Sequence, residues 1–193
     1  MIRPLPVWLL ACSLLAGAAQ AQTPARPAEE SVLARLTDIV PPEPGRQACY
    51  TRAYDKAHLA QHKRQRVTQI AFLLRVASYD FEGRAKPEKL EERVHYQFAM
   101  SLKRRGERRM LVTSGGCFGG KGISCSVDCD GGGVTLEQSG ESLLVRIAEH
   151  GIKMEGDCDG KSVWVNPGAD DKVFRVEKAA PEACKALAKE LAP

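Results

Sequence analysis

In "VHYQFAMSL" the apolar residues Val94, Tyr96, Phe98, Met100 and Leu102 take every second position, and in "VTQIAFLLRVAS" Ile70, Phe72, Leu74 and Val76 do the same. Successive side chains of an extended chain point to opposite faces, so such runs require strands with one buried face. A lone hairpin is marginal in water, so further strands must complete the layer. Met110 to Ser114 supplies a third after the basic turn Lys103 to Arg109.

The rest come from a repeated unit. "DCDGGGV" at Asp128 to Val134 returns as "DCDGKSV" at Asp157 to Val163, 29 residues later. Laying 121–147 on 150–176 without a gap gives eight identities over 27 positions, among them Ile123 with Ile152, Cys129 with Cys158 and Arg146 with Arg175. Each copy reads as strand, Asp-Gly turn, strand, turn, strand, because Asp-Gly between alternating runs favours a type I′ hairpin. A turn centred on Asp130-Gly131 pairs Cys129 with Gly132, Val127 with Val134 and Cys125 with Leu136. In the second copy it pairs Met154 with Val165.

The fold class that follows is mainly β: an antiparallel meander of about nine strands forming a small barrel or sandwich, stapled by disulfides. Short N-terminal helical segments are expected at Glu29 to Ile39 and at Tyr50 to His62, and a C-terminal helix at Pro181 to Leu191. Residues 1–21 carry an early arginine, an apolar run from Leu5 to Ala19 and the box Ala19-Gln20-Ala21, the layout of a secretory signal peptide. Cleavage near Ala21 makes the chain exported, periplasmic or secreted; lipid attachment at Cys12 is the alternative. Residues 22–45, rich in proline and alanine, read as an arm or linker, and 46–193 as one β-rich domain holding the duplication.

The mature chain keeps six cysteines, Cys49, Cys117, Cys125, Cys129, Cys158 and Cys184. An even number in an oxidising compartment favours disulfides over zinc on Cys125, Cys129 and Cys158. Cys125 and Cys129, four residues apart on an extended chain, lie roughly 13 Å apart and cannot bond. Of the 15 pairings open to six cysteines, Cys117 with Cys125, Cys129 with Cys158 and Cys49 with Cys184 fits the hairpin layout.

No motif marks catalysis, metal or cofactor. "DCDG" lacks the alternating carboxylates of a calcium loop, "GGCFGGKG" lacks P-loop spacing, and "HLAQH" at His58 and His62 lacks the glutamate of a zinc protease. The formal charge, +4 for the whole chain, does not call for nucleic acid. The expectation is therefore a non-catalytic exported binding module. A closed barrel could hold a small apolar ligand against Phe72, Leu74, Tyr96, Phe98, Met100, Val145 and Phe174, or those side chains could simply fill it. The alternative is an envelope interaction or inhibitor module that uses exposed loops, with Trp164 and Arg105 as contacts to a protein or an anionic surface. A weaker alternative is a metal-dependent hydrolase using His58, His62 and His95.

Overall fold

The structure, a computed structural model, describes residues 36–79, 88–89, 92–118, 122–155, 158 and 162–191. The signal segment, Cys12 and the first half of the arm lie outside the described residues. Nine strands run in chain order: β1 (Gln47–Ala53), β2 (Val67–Ser78), β3 (Val94–Arg104), β4 (Met110–Phe118), β5 (Ile123–Ser126), β6 (Gly132–Ser139), β7 (Ser142–Met154), β8 (Val163–Val165) and β9 (Val173–Ala179). Helix α1 (Lys56–Gln61) links β1 to β2, and a 3-10 turn (Pro181–Cys184) leads into α2 (Lys185–Glu190) at the C-terminus.

Eight strands close a barrel. β1 to β7 pair in sequence, β9 enters between β7 and β1, and every pairing is antiparallel. β8 stands outside the cylinder, paired only with the end of β7. Closure removes the free edges that an open sheet of this kind would expose.

The alternating residues do what their period demands. Ile70, Phe72, Leu74 and Val76 of β2 meet Val94, Tyr96, Phe98, Met100 and Leu102 of β3 inside, with Phe72 and Phe98 stacked at 5.6 Å between ring centroids. The outer face of the same strands carries Gln69, Arg75, His95, Gln97 and Lys103, none of them buried. Apolar inside and polar outside is the arrangement of a barrel that faces water; lipid-facing barrels have the opposite polarity.

Both ends are plugged. Residues 36–39 form a helical turn at one mouth, with Leu36, Ile39 and Val40 buried in the core and the Tyr96 hydroxyl donating to the Val40 carbonyl at 2.9 Å. At the other mouth β5 is too short to cover the start of β4. The last third of β7 bends across instead: the Glu155 N–H donates to Val112 O at 2.7 Å, and Ile152, Met154 and Val165 complete the core. The bend sits at Gly151, whose φ of +85° suits glycine. A Cβ there would come within 2.6 Å of Asn166 Oδ1 and 2.8 Å of Val165 O.

Three disulfides join Cys49 to Cys184, Cys117 to Cys125 and Cys129 to Cys158. These are the pairs that spacing singled out. The first lies on the outer face, where Leu187 and Leu191 pack with Leu73 and Ala99 beneath the C-terminal helix.

Three expectations are corrected. The segment 50–62 is not one helix: its first residues finish β1, and only Lys56–Gln61 is helical, capped by the Asp55 carboxylate accepting from His58 N–H. The third strand of the first repeat and the first strand of the second are one strand, β7, so nine strands arise with β1 added and a pair merged. The hairpin turn is centred on Cys129-Asp130, both at positive φ (57° and 56°), not on Asp130-Gly131. Cys125 accordingly faces Val134, and Met154 faces Val163. The shift follows from packing: a Cβ on Gly133 would stand 2.1 Å from Cys125 O, so the glycines are spent on close strand approach beside the turn. The same shift carries Cys129 out to an exposed hairpin tip, where it reaches Cys158.

Candidate functional site

Two loops meet at the mouth that β7 closes. Residues 52–66 run from the last two residues of β1 through α1 to β2, and residues 103–109 from the last two residues of β3 to β4. Together they hold ten lysines and arginines against Asp55 and Glu107, a formal +8 in a chain whose total is +4, so the remainder carries −4. Strand register places them side by side, since Val67 opposes Arg104 and Gln69 opposes Lys103. Hydrogen bonds lock the contact: Arg105 N–H donates to Arg66 O at 2.6 Å, and the Arg105 guanidinium donates to Leu59 O at 3.2 Å.

The neighbouring acids organise this end more than they neutralise it. The buried Asp171 carboxylate accepts from the N–H groups of Arg66 (2.7 Å) and Val67 (3.2 Å), fixing the chain where β2 begins. Asp170 meets Arg64 at 3.7 Å, Glu107 meets Arg104 at 2.6 Å and Glu155 meets Arg109 at 2.6 Å. Exposed pairs of this kind contribute only about 0–1 kcal/mol each, and the end keeps a large positive excess. Arg52, Lys56, Lys63, Arg64, Arg66, Arg105, Arg108 and Arg109 are all exposed.

Aromatic groups share this end. The rings of Tyr54 and His58 stack at 4.7 Å and those of His58 and His62 at 4.3 Å, with the Arg52 guanidinium 5.6 Å from the Tyr54 ring centre. Burial raises the Tyr54 phenol pKa, with Arg52 opposing and Asp171 adding to the rise. His58 Nε2 is engaged with Gln65 Oε1 at 2.9 Å, and stacked rings present faces to each other, not converging nitrogens. Trp164, 42% exposed, stands on β8 opposite Lys153, two residues before the Glu155 that holds Arg109. Register thus puts Trp164 and Arg105 at one end of the molecule.

The other residues singled out from sequence are placed as follows. Phe72, Leu74, Tyr96, Phe98, Met100, Val145 and Phe174 all point inward and are at most 3% exposed, so they fill the interior against one another. Burial pushes the Tyr96 phenol up to about 12. His95 does not join His58 and His62: it lies on the outer face eight residues along β3 from Lys103, roughly 26 Å away at the strand rise. Cys125, Cys129 and Cys158 are committed to disulfides, and among the described residues no group of three His, Cys, Asp or Glu side chains is arranged to hold a metal. The sequence marks Lys103 to Arg109 as a basic turn but carries no direct sign that it shares a surface with Lys63 to Arg66. Their adjacency depends on the β2–β3 register, which the alternation of both strands could have supplied.

Comparison with protein-family models, with curated proteins and with solved structures finds no match to this chain.

Proposed function

We propose that this chain is an exported, non-catalytic binding module that docks on an anionic membrane surface through the basic end of a filled barrel. The observation that carries the reading is the junction of the two segments through Arg66 and Arg105, whose formal +8 is only partly offset by Asp170, Asp171 and Glu155 beside them. Each lysine or arginine near an anionic leaflet contributes about 1 kcal/mol, and an exposed tryptophan such as Trp164 suits the headgroup layer, where its ring is apolar and its N–H wet. The dense interior supports a surface reading over an internal apolar ligand. Export is supported by the layout of residues 1–21 and by three intramolecular disulfides.

The test is co-sedimentation of the exported protein with phosphatidylglycerol-containing vesicles and with pure phosphatidylcholine vesicles, at low and high salt. Binding to the anionic vesicles alone, lost as salt rises, is expected. Reversing Arg64, Arg66 and Arg105 to glutamate should weaken it by more than about a hundredfold, given about 1 kcal/mol per charge removed and a further penalty for each one introduced. Equal binding to both vesicle types, or none at low salt, overturns the reading.

A further inference from the structure

A second surface, on the outer face of β2–β3–β4 toward the opposite mouth, has different chemistry. Two cross-strand rows define it. Arg75 opposes Gln97, which opposes Gly116. One step along, Ala77 opposes His95, which the same register sets beside Phe118. Beyond them Tyr79 N–H donates to Arg93 O at 2.9 Å, placing the Tyr79 ring 4.6 Å from that of His95. The result is a groove of about 1040 Å³ bounded on one side by Leu191, where the C-terminal helix ends.

Its floor and walls are unusual for a barrel exterior. Ala77 and Gly116 keep the floor low, and a Cβ on Gly116 would come within 2.7 Å of the Phe118 ring, so that ring depends on glycine beneath it. Phe118 and Tyr79 are 59% and 50% exposed, the two most exposed large apolar side chains among the described residues. Between them stand planar polar groups, with the Arg75 guanidinium donating to Gln97 Oε1 at 3.2 Å. His95 Nδ1 is shielded from solvent and has no hydrogen-bond partner among the described residues.

We propose that this groove binds a neutral oligosaccharide, its pyranose faces on Phe118 and Tyr79 and its hydroxyls on Arg75 and Gln97. Sugar rings have an apolar C–H face for aromatic contact and a hydroxyl rim that planar forked donors and acceptors satisfy together. Charge selects the neutral class. Among the described residues Arg75 is outnumbered in the lining by Glu92, Asp128 and Glu190, an acidic excess there that is the reverse of the basic end. Burial, helped by the Arg75 guanidinium, lowers the His95 pKa, so the fold disfavours a second positive charge there. The volume, at the upper end of the roughly 300–1,000 Å³ of small-molecule sites, suits several sugar units in a row.

The test is a titration of the isotope-labelled exported protein, followed by amide NMR, with cellotetraose, maltotetraose and the tetramer of N-acetylglucosamine. At least one should shift Ala77, His95, Gln97 and Gly116 at millimolar concentration, with an affinity that salt does not change. Phe118→Ala and Gln97→Ala should each weaken it about tenfold or more at unchanged Tm, while Arg105→Glu leaves it intact. No shift with any of the three sugars, or binding by Phe118→Ala equal to wild type, overturns the proposal.

Discussion

Cys49, in the first barrel strand, is bonded to Cys184, just beyond the last, with 5.8 Å between Cα atoms and a sequence separation of 135. The loop it closes takes in nearly the whole barrel. On chain-entropy grounds such a crosslink restricts the unfolded state by about 5 kcal/mol, against about 2.5 kcal/mol for the 8-residue separation of Cys117 and Cys125. Cys49→Ser with Cys184→Ser should therefore lower unfolding free energy more than Cys117→Ser with Cys125→Ser, as read from urea midpoints. The opposite ranking would show that strand geometry, not loop length, sets the contribution.

Phe98 is fully buried against Phe72, and its truncation opens a void that neighbours on rigid strands cannot fill. Phe98→Ala should cost about 3–5 kcal/mol. Native mass spectrometry of wild-type protein from its own host should give the oxidised chain with no interior passenger. A co-purifying apolar mass would restore the internal-ligand reading.

His95 carries a pH signature. Its folded pKa lies below the ordinary histidine value of 6.5, so the fold disfavours the imidazolium. The stability it supports is present above that ordinary value and is lost as pH falls through the folded pKa. Thermal melts should decline as pH drops from neutral into the range below 6.5, and His95→Gln should flatten that part of the profile. A profile unchanged by the substitution would mean that other groups govern it.

Gly151 and Gly140 both have positive φ, +85° and +63°, but only Gly151 is crowded. Alanine at Gly140 meets open space and should cost only about 1 kcal/mol for its backbone conformation. At Gly151 it adds a clash with Val165 O and should cost more than that, about 1–3 kcal/mol beyond the Gly140 variant, measured by chemical denaturation. Equal costs would place the bend elsewhere.

The strands legible in the sequence are those whose inward positions are apolar without interruption, as in 67–78 and 94–102, even where Leu73 and Ala99 are also buried on the outer face under the C-terminal helix. β1 was hidden because "QACYTRA" offers only Ala48 and Tyr50 to the core, while Cys49 is buried on the other face by its disulfide partner. β7 was hidden because Gly151 looks like a break between repeats, whereas it bends one strand. Strand rise excludes only Cys125 with Cys129; Cys117 and Cys125 face each other across a short glycine-rich loop, Cys129 and Cys158 are equivalent in the repeat, and Cys49 with Cys184 is what remains. The hairpin register was not legible, since glycines at 131–133 serve either a turn or close backbone approach, and only the packed barrel decides. Yet both hairpins make the same choice: Ile123 faces Leu136, and 29 residues later Ile152 faces Val165. We read that shared register as the trace of a duplicated hairpin. The sugar groove was illegible for a related reason, as Arg75, Gln97, His95 and Phe118 are ordinary outward residues until two strand pairings align them.

Because β1 is flanked by β2 on one side and β9 on the other, the earliest strand to be synthesised keeps an open edge until residues 177–179 arrive to pair with it. Closure is thus a late event in folding, possible only once almost the entire polypeptide is available to pair. A chain cut short before Val173 would leave β1 and β7 as bare ladders of backbone donors and acceptors. An incomplete copy would then carry its own mark: an unzipped seam.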